Sequence, residues 1–436
     1  MLKTFKKHIE TNLEFLKDSR LIIAISGGVD SVVLCHLCKK LNLDFALAHC
    51  NFNLRGEESN ADEDFVLELA EQLDVEVFIQ NFDTQAYADE NKRSIQMAAR
   101  ELRYDWFAEL AEQLKFDYIL TAHHVDDNLE TFLINFTRGT GLNGLTGIPV
   151  VKGNIVRPIL SFSREQIEVY ARENSISWRE DSSNSSRKYL RNKLRHEVVP
   201  ILKEINPNLL DSFQNTLENL NDTADIVEES LNAVAKRAIV DIDENGITYK
   251  ISEFKKVNNP KAYLFEMFKD FGFTEWNDIV GLLDAQSGKQ VMSNTHRLIK
   301  HREFFILTEI KSKGHESISI SKTDTAIETP LGILSFDEAD AIVNAIKNII
   351  YVDSETLSFP LELRLWKEGD FFYPAGMTGK KKISKYLKDE KLSLVEKENT
   401  WVLTSEENIL WVVGKRGDNR FEVTDRTKKI LKIKFS

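Results

Sequence analysis

Four short apolar runs in the first 200 residues are each followed by an amphipathic stretch, and this alternation limits the fold more than any other feature. The runs are 21–26 (LIIAIS), 45–49 (FALAH), 75–80 (VEVFIQ) and 118–122 (YILTA), with helical patterns at 31–40, 61–73 and 94–114 between them. Strand–helix alternation at this spacing predicts an α/β domain with a doubly wound parallel sheet. In such sheets ligands bind outside the carboxyl ends of the strands. The loops that follow the apolar runs are therefore the ones that carry chemistry.

The alternation stops near Pro207. Residues 209–239 read as one or two helices, and 260–272 and 275–285 as further helices before a short β ending. A polar Ser/Lys/Thr-rich stretch at 314–325 reads as a linker, followed by short strands around one lysine-rich helix at 383–391. The expected domains are 1–207, catalytic; 208–313, a helical or α+β middle domain; and 326–436, a small α+β C-terminal domain. No apolar run approaches the roughly 18 residues of a membrane helix. The charged N-terminus is not a signal peptide. Three cysteines in 436 residues exclude a disulfide framework, so a reducing, cytoplasmic location is expected.

The formal charge of −12 excludes a chain that binds nucleic acid through bulk basicity. Local patches run against that balance. RKYLRNKLR, at 187–195, has five cations and no acid, and residues 364–436 carry 17 Lys+Arg against 11 Asp+Glu. Each patch by itself is equally a solvated charged face.

Directly after the first apolar run comes Ser26-Gly27-Gly28-Val29-Asp30-Ser31, at the start of a helical pattern. Two glycines let the backbone turn tightly and approach a phosphate, while the free amides and dipole of the following helix face the anion. The lysine of a P-loop and the G-x-G-x-x-G of a dinucleotide fold are both missing. A second cluster, His123-His124-Val125-Asp126-Asp127-Asn128-Leu129-Glu130-Thr131, ends the 118–122 run. It sets two imidazoles and two carboxylates on the same sheet edge, where a carboxylate can hold Mg²⁺ against nucleotide phosphates. Alone, each motif is also compatible with a capped helix start.

SGGVDS resembles the pyrophosphate loop of the N-type (PP-loop) ATP pyrophosphatases, which cleave ATP between its α and β phosphates. Together with HHVDDNLET, five further stretches resemble the bacterial tRNA(Ile)-lysidine synthetase family across nearly the whole chain. They are AHCNFNLRGEE (48–58), ARELRY (99–104), RGTGLNGL (138–145), RNKLR (191–195) and RLWKEGDFFYPAGMT with Lys380–Lys382. Position 50 is Cys where the family is often rich in histidine, and position 128 is Asn where Gln is common.

The resemblance implies an ATP-dependent ligase that joins free lysine to carbon 2 of the wobble cytidine in CAU-anticodon tRNA(Ile). The product is lysidine, with AMP and pyrophosphate released, which changes codon reading from AUG to AUA and identity from Met to Ile. On that reading Ser26, Gly27, Gly28, Val29, Asp30 and Ser31 bind ATP, and Asp30 and Asp127 organise Mg²⁺ or the reacting groups. Arg103 (or Arg100) and Arg195 (or Arg191) meet phosphates or RNA, each pair sharing one helix face. His123, Asp126, Gly139, Thr140 and Gly141 are secondary candidates. Arg187, Lys188, Lys380, Lys381, Lys382 and Lys385 are candidate tRNA contacts, with Lys388 on the same helix. The partners are tRNA and lysine, with no membrane, and a homodimer is compatible with them.

A tRNA 2-thiolase of the same superfamily is the rival enzyme, because it too adenylates a base. Cys35-His36-Leu37-Cys38 is formally C-x-x-C, yet its apolar surroundings read as helix core. A small-molecule ligase would need neither basic patch, and a non-catalytic tRNA-binding module would not need Asp30, Asp126 and Asp127.

Overall fold

The computed structural model describes residues 1–180, 190–310, 317–330, 332–343 and 348–436. Arg187 and Lys188 lie outside the described residues. Two compact units are present, Met1–Glu228 and Glu229–Ser436.

In the first unit the order is α1 (Leu2–Asn12), β1 (Leu21–Ala24), α2 (Val29–Lys40), β2 (Phe45–Asn51), α3 (Glu57–Leu73), β3 (Val77–Asn81), α4 (Thr84–Glu90), α5 (Ile95–Leu114) and β4 (Tyr118–Leu120). Then come α6 (Val125–Arg138), α7 (Leu142–Leu145), the hairpin β5 (Val151–Lys152) and β6 (Ile155–Val156), α8 (Arg164–Glu173), α9 (Leu190–Lys193), α10 (Val199–Ile205) and α11 (Leu209–Ala238). The sheet order is β3-β2-β1-β4-β6-β5. All its pairings are parallel except that of β5 with β6.

Period-two alternation in β1 explains why both faces are covered. Leu21, Ile23 and Ile25 pack into one core with Val32, Val33, Leu37, Val66, Leu69 and Ile167, from α2, α3 and α8. Ile22 points the other way, into a cluster with Phe107, Leu110 and Ala111 of α5. From β1 the chain runs outward through β2 to β3, then returns to place β4 on the other side of β1. That reversal opens a crevice between the carboxyl ends of β1 and β4, where both sequence motifs fall.

The second unit contains more sheet than the sequence pattern predicts. A hairpin of Ile239–Asp243 and Gly246–Lys250 joins strands Phe304–Glu309, His296–His301 and Gln290–Met292 in a five-stranded sheet. The two hairpin strands are short and half exposed, so their alternation is weak, and the preceding helix is one 30-residue element. Ile318–Ile320, inside the stretch read as linker, is a strand paired with Leu361–Leu365, consistent with its Ser/Ile alternation. Within this unit Ile299 and Ile306 pack on Val395, and Arg297 pairs with Glu398. Among the described residues, no helix is long and apolar enough to cross a membrane.

Phe254 is fully buried among Tyr249, Phe268 and Phe305, at ring separations of 6.0–6.2 Å. Phe254→Ala is expected to cost about 3–5 kcal/mol, read as a lower urea midpoint. A loss under about 1 kcal/mol would contradict this packing.

Candidate active site

The phosphate loop is built by its own polar groups. Gly27 has φ +84°, a conformation that favours glycine, and a Cβ there would meet the Phe65 ring at 3.5 Å. Ser26 N donates to Ser31 Oγ at 3.2 Å, and Ser31 Oγ donates to the Gly28 carbonyl at 3.0 Å. Gly28 is the N-cap of α2 and no side chain caps it there, which leaves the first-turn amides for an anion. Buried His49 places Nδ1 3.0 Å from the Ile25 carbonyl, fixing the strand end that enters the loop.

Beside it, His124 is the N-cap of α6, and the Asp127 carboxylate accepts the His124 backbone N–H at 3.2 Å. Asp127 therefore closes the helix start with one oxygen. With the other it accepts from Arg195 at 3.2 Å. The His124 ring lies among three carboxylates, its Nε2 3.8 Å from Asp30 and 3.3 Å from Asp127 and its Nδ1 3.6 Å from Asp126. Burial alone would lower the His124 pKa, but these acids outweigh it and raise it. Loop and acidic cluster thus meet across the crevice.

Burial raises the Asp30 pKa against the pull of His124 and Arg164. Its Oδ2 is ion-paired with Arg164, while Oδ1 is buried without a hydrogen-bond partner. That orphaned oxygen and the neighbouring Asp127 suit Mg²⁺, which needs one or two carboxylates, with phosphates and water completing its shell. Asp126 is committed to structure. It accepts from the Arg164 backbone N–H and from Lys203 Nζ, both at 2.9 Å. Burial opposes its charge, yet these donors and His124 hold its carboxyl far below the usual range.

The arginine pairs are resolved differently. Arg195 bonds Glu130 through Nε at 2.6 Å and Nη2 at 3.0 Å, and it alone of its pair reaches Asp127. It sits in a π-helical turn, Leu194–Val198, a kind of irregularity frequent at functional sites. Arg191 donates to Thr131 Oγ1 at 2.6 Å and lies 3.5 Å from Glu130. Arg100 stacks over Tyr104 at 4.8 Å, with its charge felt at His123. Arg103 lies over Phe52 at 5.1 Å, beside the β2 end. Neither Arg100 nor Arg103 pairs with the acidic cluster. Desolvation, with Arg157, Arg191 and Arg100 nearby, lowers the His123 pKa to about 4. Gly139 ends α6 at φ +74°, and Gly139 and Gly141 have open space around them in the loop before α7.

Several participants escaped the sequence reading. Glu130 lies inside the quoted motif, but only the fold shows it 1% exposed and clasped by Arg195. Arg164 opens α8 after a Ser163/Gln166 capping box that was legible as a helix start, not as a partner of Asp30. Cys35 and Cys38 are fully buried in the core, and half-buried Cys50 has its thiol pushed by burial up to about 12. Of the terminal lysines, Lys380 lies 3.4 Å from the Phe371 ring centroid, and Lys382, Lys385 and Lys388 are exposed. Lys381 is half-buried and bonded to Asp389 at 2.9 Å.

Because Asp126 titrates lower when folded than its unfolded value of about 3.9, the stability it contributes is present above that value. It is lost as pH falls through the folded pKa. The gap in urea midpoint between the native chain and Asp126→Asn should narrow progressively below about pH 4. A gap that stays constant or widens in acid would refute this.

Residues 1–202 match the family model of the PP-loop domain, 242–310 that of the TilS substrate binding domain, and 361–434 that of the TilS substrate C-terminal domain. The chain is 40% identical to the tRNA(Ile)-lysidine synthase of Parabacteroides distasonis, with 100% of each chain covered. It is 39% identical to that of Bacteroides thetaiotaomicron over 98% of each, and 29% identical to that of Clostridium acetobutylicum over 98% of this chain and 97% of the relative. With all three regions matched and relatives aligned end to end, the chain belongs to the tRNA(Ile)-lysidine synthase family.

Proposed function

We propose that this protein ligates lysine to carbon 2 of the wobble cytidine in CAU-anticodon tRNA(Ile), through an adenylated tRNA, releasing pyrophosphate and then AMP. The observation that carries the proposal is the convergence of the phosphate loop and Asp30 with Asp127 at adjacent strand ends, and of Arg195 on Asp127, in a chain matching this family along its length.

In the first step the cytidine O2 attacks the α-phosphorus, the bond to the β-phosphate oxygen breaks, and pyrophosphate leaves. The amides of Gly28–Ser31 receive the phosphates. Asp30 and Asp127 would hold Mg²⁺, which would neutralise charge on the phosphates. In the second step the lysine ε-amine attacks carbon 2, and AMP departs with the oxygen. The amine must first lose a proton. A carboxylate beside the reacting carbon can attract the ammonium and accept that proton. Arg195, tied to Glu130, presents its cation beside Asp127 without titrating.

Two outcomes test this. Asp30→Asn should abolish pyrophosphate release and lysidine formation while leaving the fold intact. Asp127→Ala should also cost turnover. Asn128→Ala should instead cost mainly stability, since Asn128 Oδ1 accepts the Ile148 N–H at 2.7 Å in the interior. Near-native pyrophosphate release from Asp30→Asn would sink the assignment.

Exposed Lys380, Lys382, Lys385 and Lys388 contact tRNA phosphates on this proposal, and Arg187 and Lys188 are further candidate tRNA contacts. Neutralising the four exposed lysines to Gln should raise KM for tRNA and flatten its salt dependence. Unchanged affinity and salt slope would show that they only solubilise the surface. Cutting the chain at the linker is a poor test, because it would bare the apolar surface that Ile299 and Ile306 share with Val395.

A further inference from the structure

An enzyme that reacts at a base takes that base out of its stack, and the base left beside the gap loses a stacking partner. The ligation proposed above requires this of the wobble cytidine, whose O2 must reach the α-phosphorus inside the crevice. An exposed aromatic ring on the crevice rim could replace the lost partner.

Helix α6 carries such a ring. It starts at the acidic strand end, yet its apolar residues Val125, Leu129, Phe132 and Leu133 pack on Val199, Phe213 and Leu217 rather than on the sheet. Phe136 continues that stripe one turn past the covered part. It lies parallel to Phe132, with ring centroids 6.5 Å apart, and is 65% exposed. Among the described residues the other exposed phenylalanines, Phe15 and Phe265, reach only 37% and 39%. Beyond Phe136 the chain turns back and is tied down on the way. Asn135 Nδ2 donates to the Gly144 carbonyl at 2.9 Å, Asn221 Nδ2 to the Thr146 carbonyl at 3.2 Å, and the Ile148 N–H to Asn128 Oδ1 at 2.7 Å. A Cβ on Gly147 would meet Asn128 Oδ1 at 2.6 Å, so the return path packs closely on the helix. Residues 128–148 thus form a braced finger. Its base adjoins Asp127, and its tip presents Phe136, Arg138 and the open Gly139 and Gly141.

The charge of this region points to the occupant. No Asp or Glu occurs from residue 131 to 164, where Arg138, Lys152, Arg157 and Arg164 do, in a chain with 69 acids among 436 residues. An open ring two residues from an exposed guanidinium, on a finger without acids, suits a strand of flat bases joined by phosphates. A second apolar protein surface would have no use for the cation. Nine helical residues separate Asp127 from Phe136, about 14 Å along the axis, so the ring stands beside the crevice and not inside it.

We propose that Phe136 stacks on the adenine that follows the wobble cytidine in the CAU anticodon, while Arg138 meets the adjoining phosphate. The finger then holds the loop open with the cytidine in the crevice. Phe136 is on this account a positioning residue that deepens the ligation proposed above and rests on it.

Kinetics and fluorescence of the full chain with CAU-anticodon tRNA test the finger. Phe136→Leu keeps an apolar side chain at an exposed position, so the fold is not at risk. It should lower kcat/KM for tRNA about tenfold and leave KM for ATP and for lysine unchanged. Phe136→Trp, which can still stack, should restore the native value. Arg138→Gln should reduce the salt slope of tRNA binding by about one. With 2-aminopurine in place of the adenine, the bound RNA should fluoresce more brightly on Phe136→Leu than on the native chain, because the base is no longer stacked. Unchanged kcat/KM and fluorescence in Phe136→Leu would overturn the proposal. Equal losses in the Leu and Trp variants would do so too, by showing that the ring only packs. A native dimer that Phe136→Leu turns into a monomer would assign the ring to a second copy instead. A native chain that binds the tRNA but forms no lysidine would bring down the ligation alone, since the fluorescence difference reads the stack without turnover.

Discussion

The whole site depends on β4 pairing with β1 on the side opposite β2. Two strands that are far apart in the chain become neighbours, and the loops leaving their carboxyl ends are forced to face each other. One brings backbone amides and a single carboxylate; the other brings a histidine and two more. Hydrophobic burial on both faces of β1 holds that arrangement in place. The chemistry therefore rests on a core that does not take part in it.

Crowded acids on such an edge are unstable unless cations answer them. The answer comes from elements late in the sequence: Arg164 at the start of α8, Arg195 in the π turn and Lys203 in α10. These elements are anchored independently of the charges. Val125 and Leu129 of α6 pack with Val199, Phe213 and Leu217 of α10 and α11, which sets the distance across which Arg195 clasps Glu130. Asp126 is consumed by this bracing, whereas Asp30 keeps an oxygen in reserve. Neighbouring carboxylates thus acquire different duties from their surroundings alone.

The C-terminal lysines follow another rule. Lys380, Lys382, Lys385 and Lys388 stay exposed around a small helix whose Ile383, Tyr386 and Leu387 are buried. Lys381 shows the contrast: once half-buried against Asp389, it belongs to the fold. An overall negative chain can in this way carry a locally positive face.

The sequence by itself determined the parallel sheet, the phosphate loop and the acidic strand end, because period-two apolar runs, Gly-Gly and contiguous His/Asp residues are local signals. It also marked the two basic stretches and placed Cys35 and Cys38 in the core. It did not reveal the hairpin at 239–250, whose strands are too short and exposed to alternate clearly. Nor did it separate Arg195 from Arg191, find Glu130 and Arg164, or show that Arg55 and Arg179 share Asp62. Those are contacts between residues 65, 134 and 117 positions apart for Arg195–Glu130, Arg164–Asp30 and Arg179–Asp62. An ion pair at such separation leaves no periodicity in the chain, and only the tertiary packing of the helices decides which charge meets which.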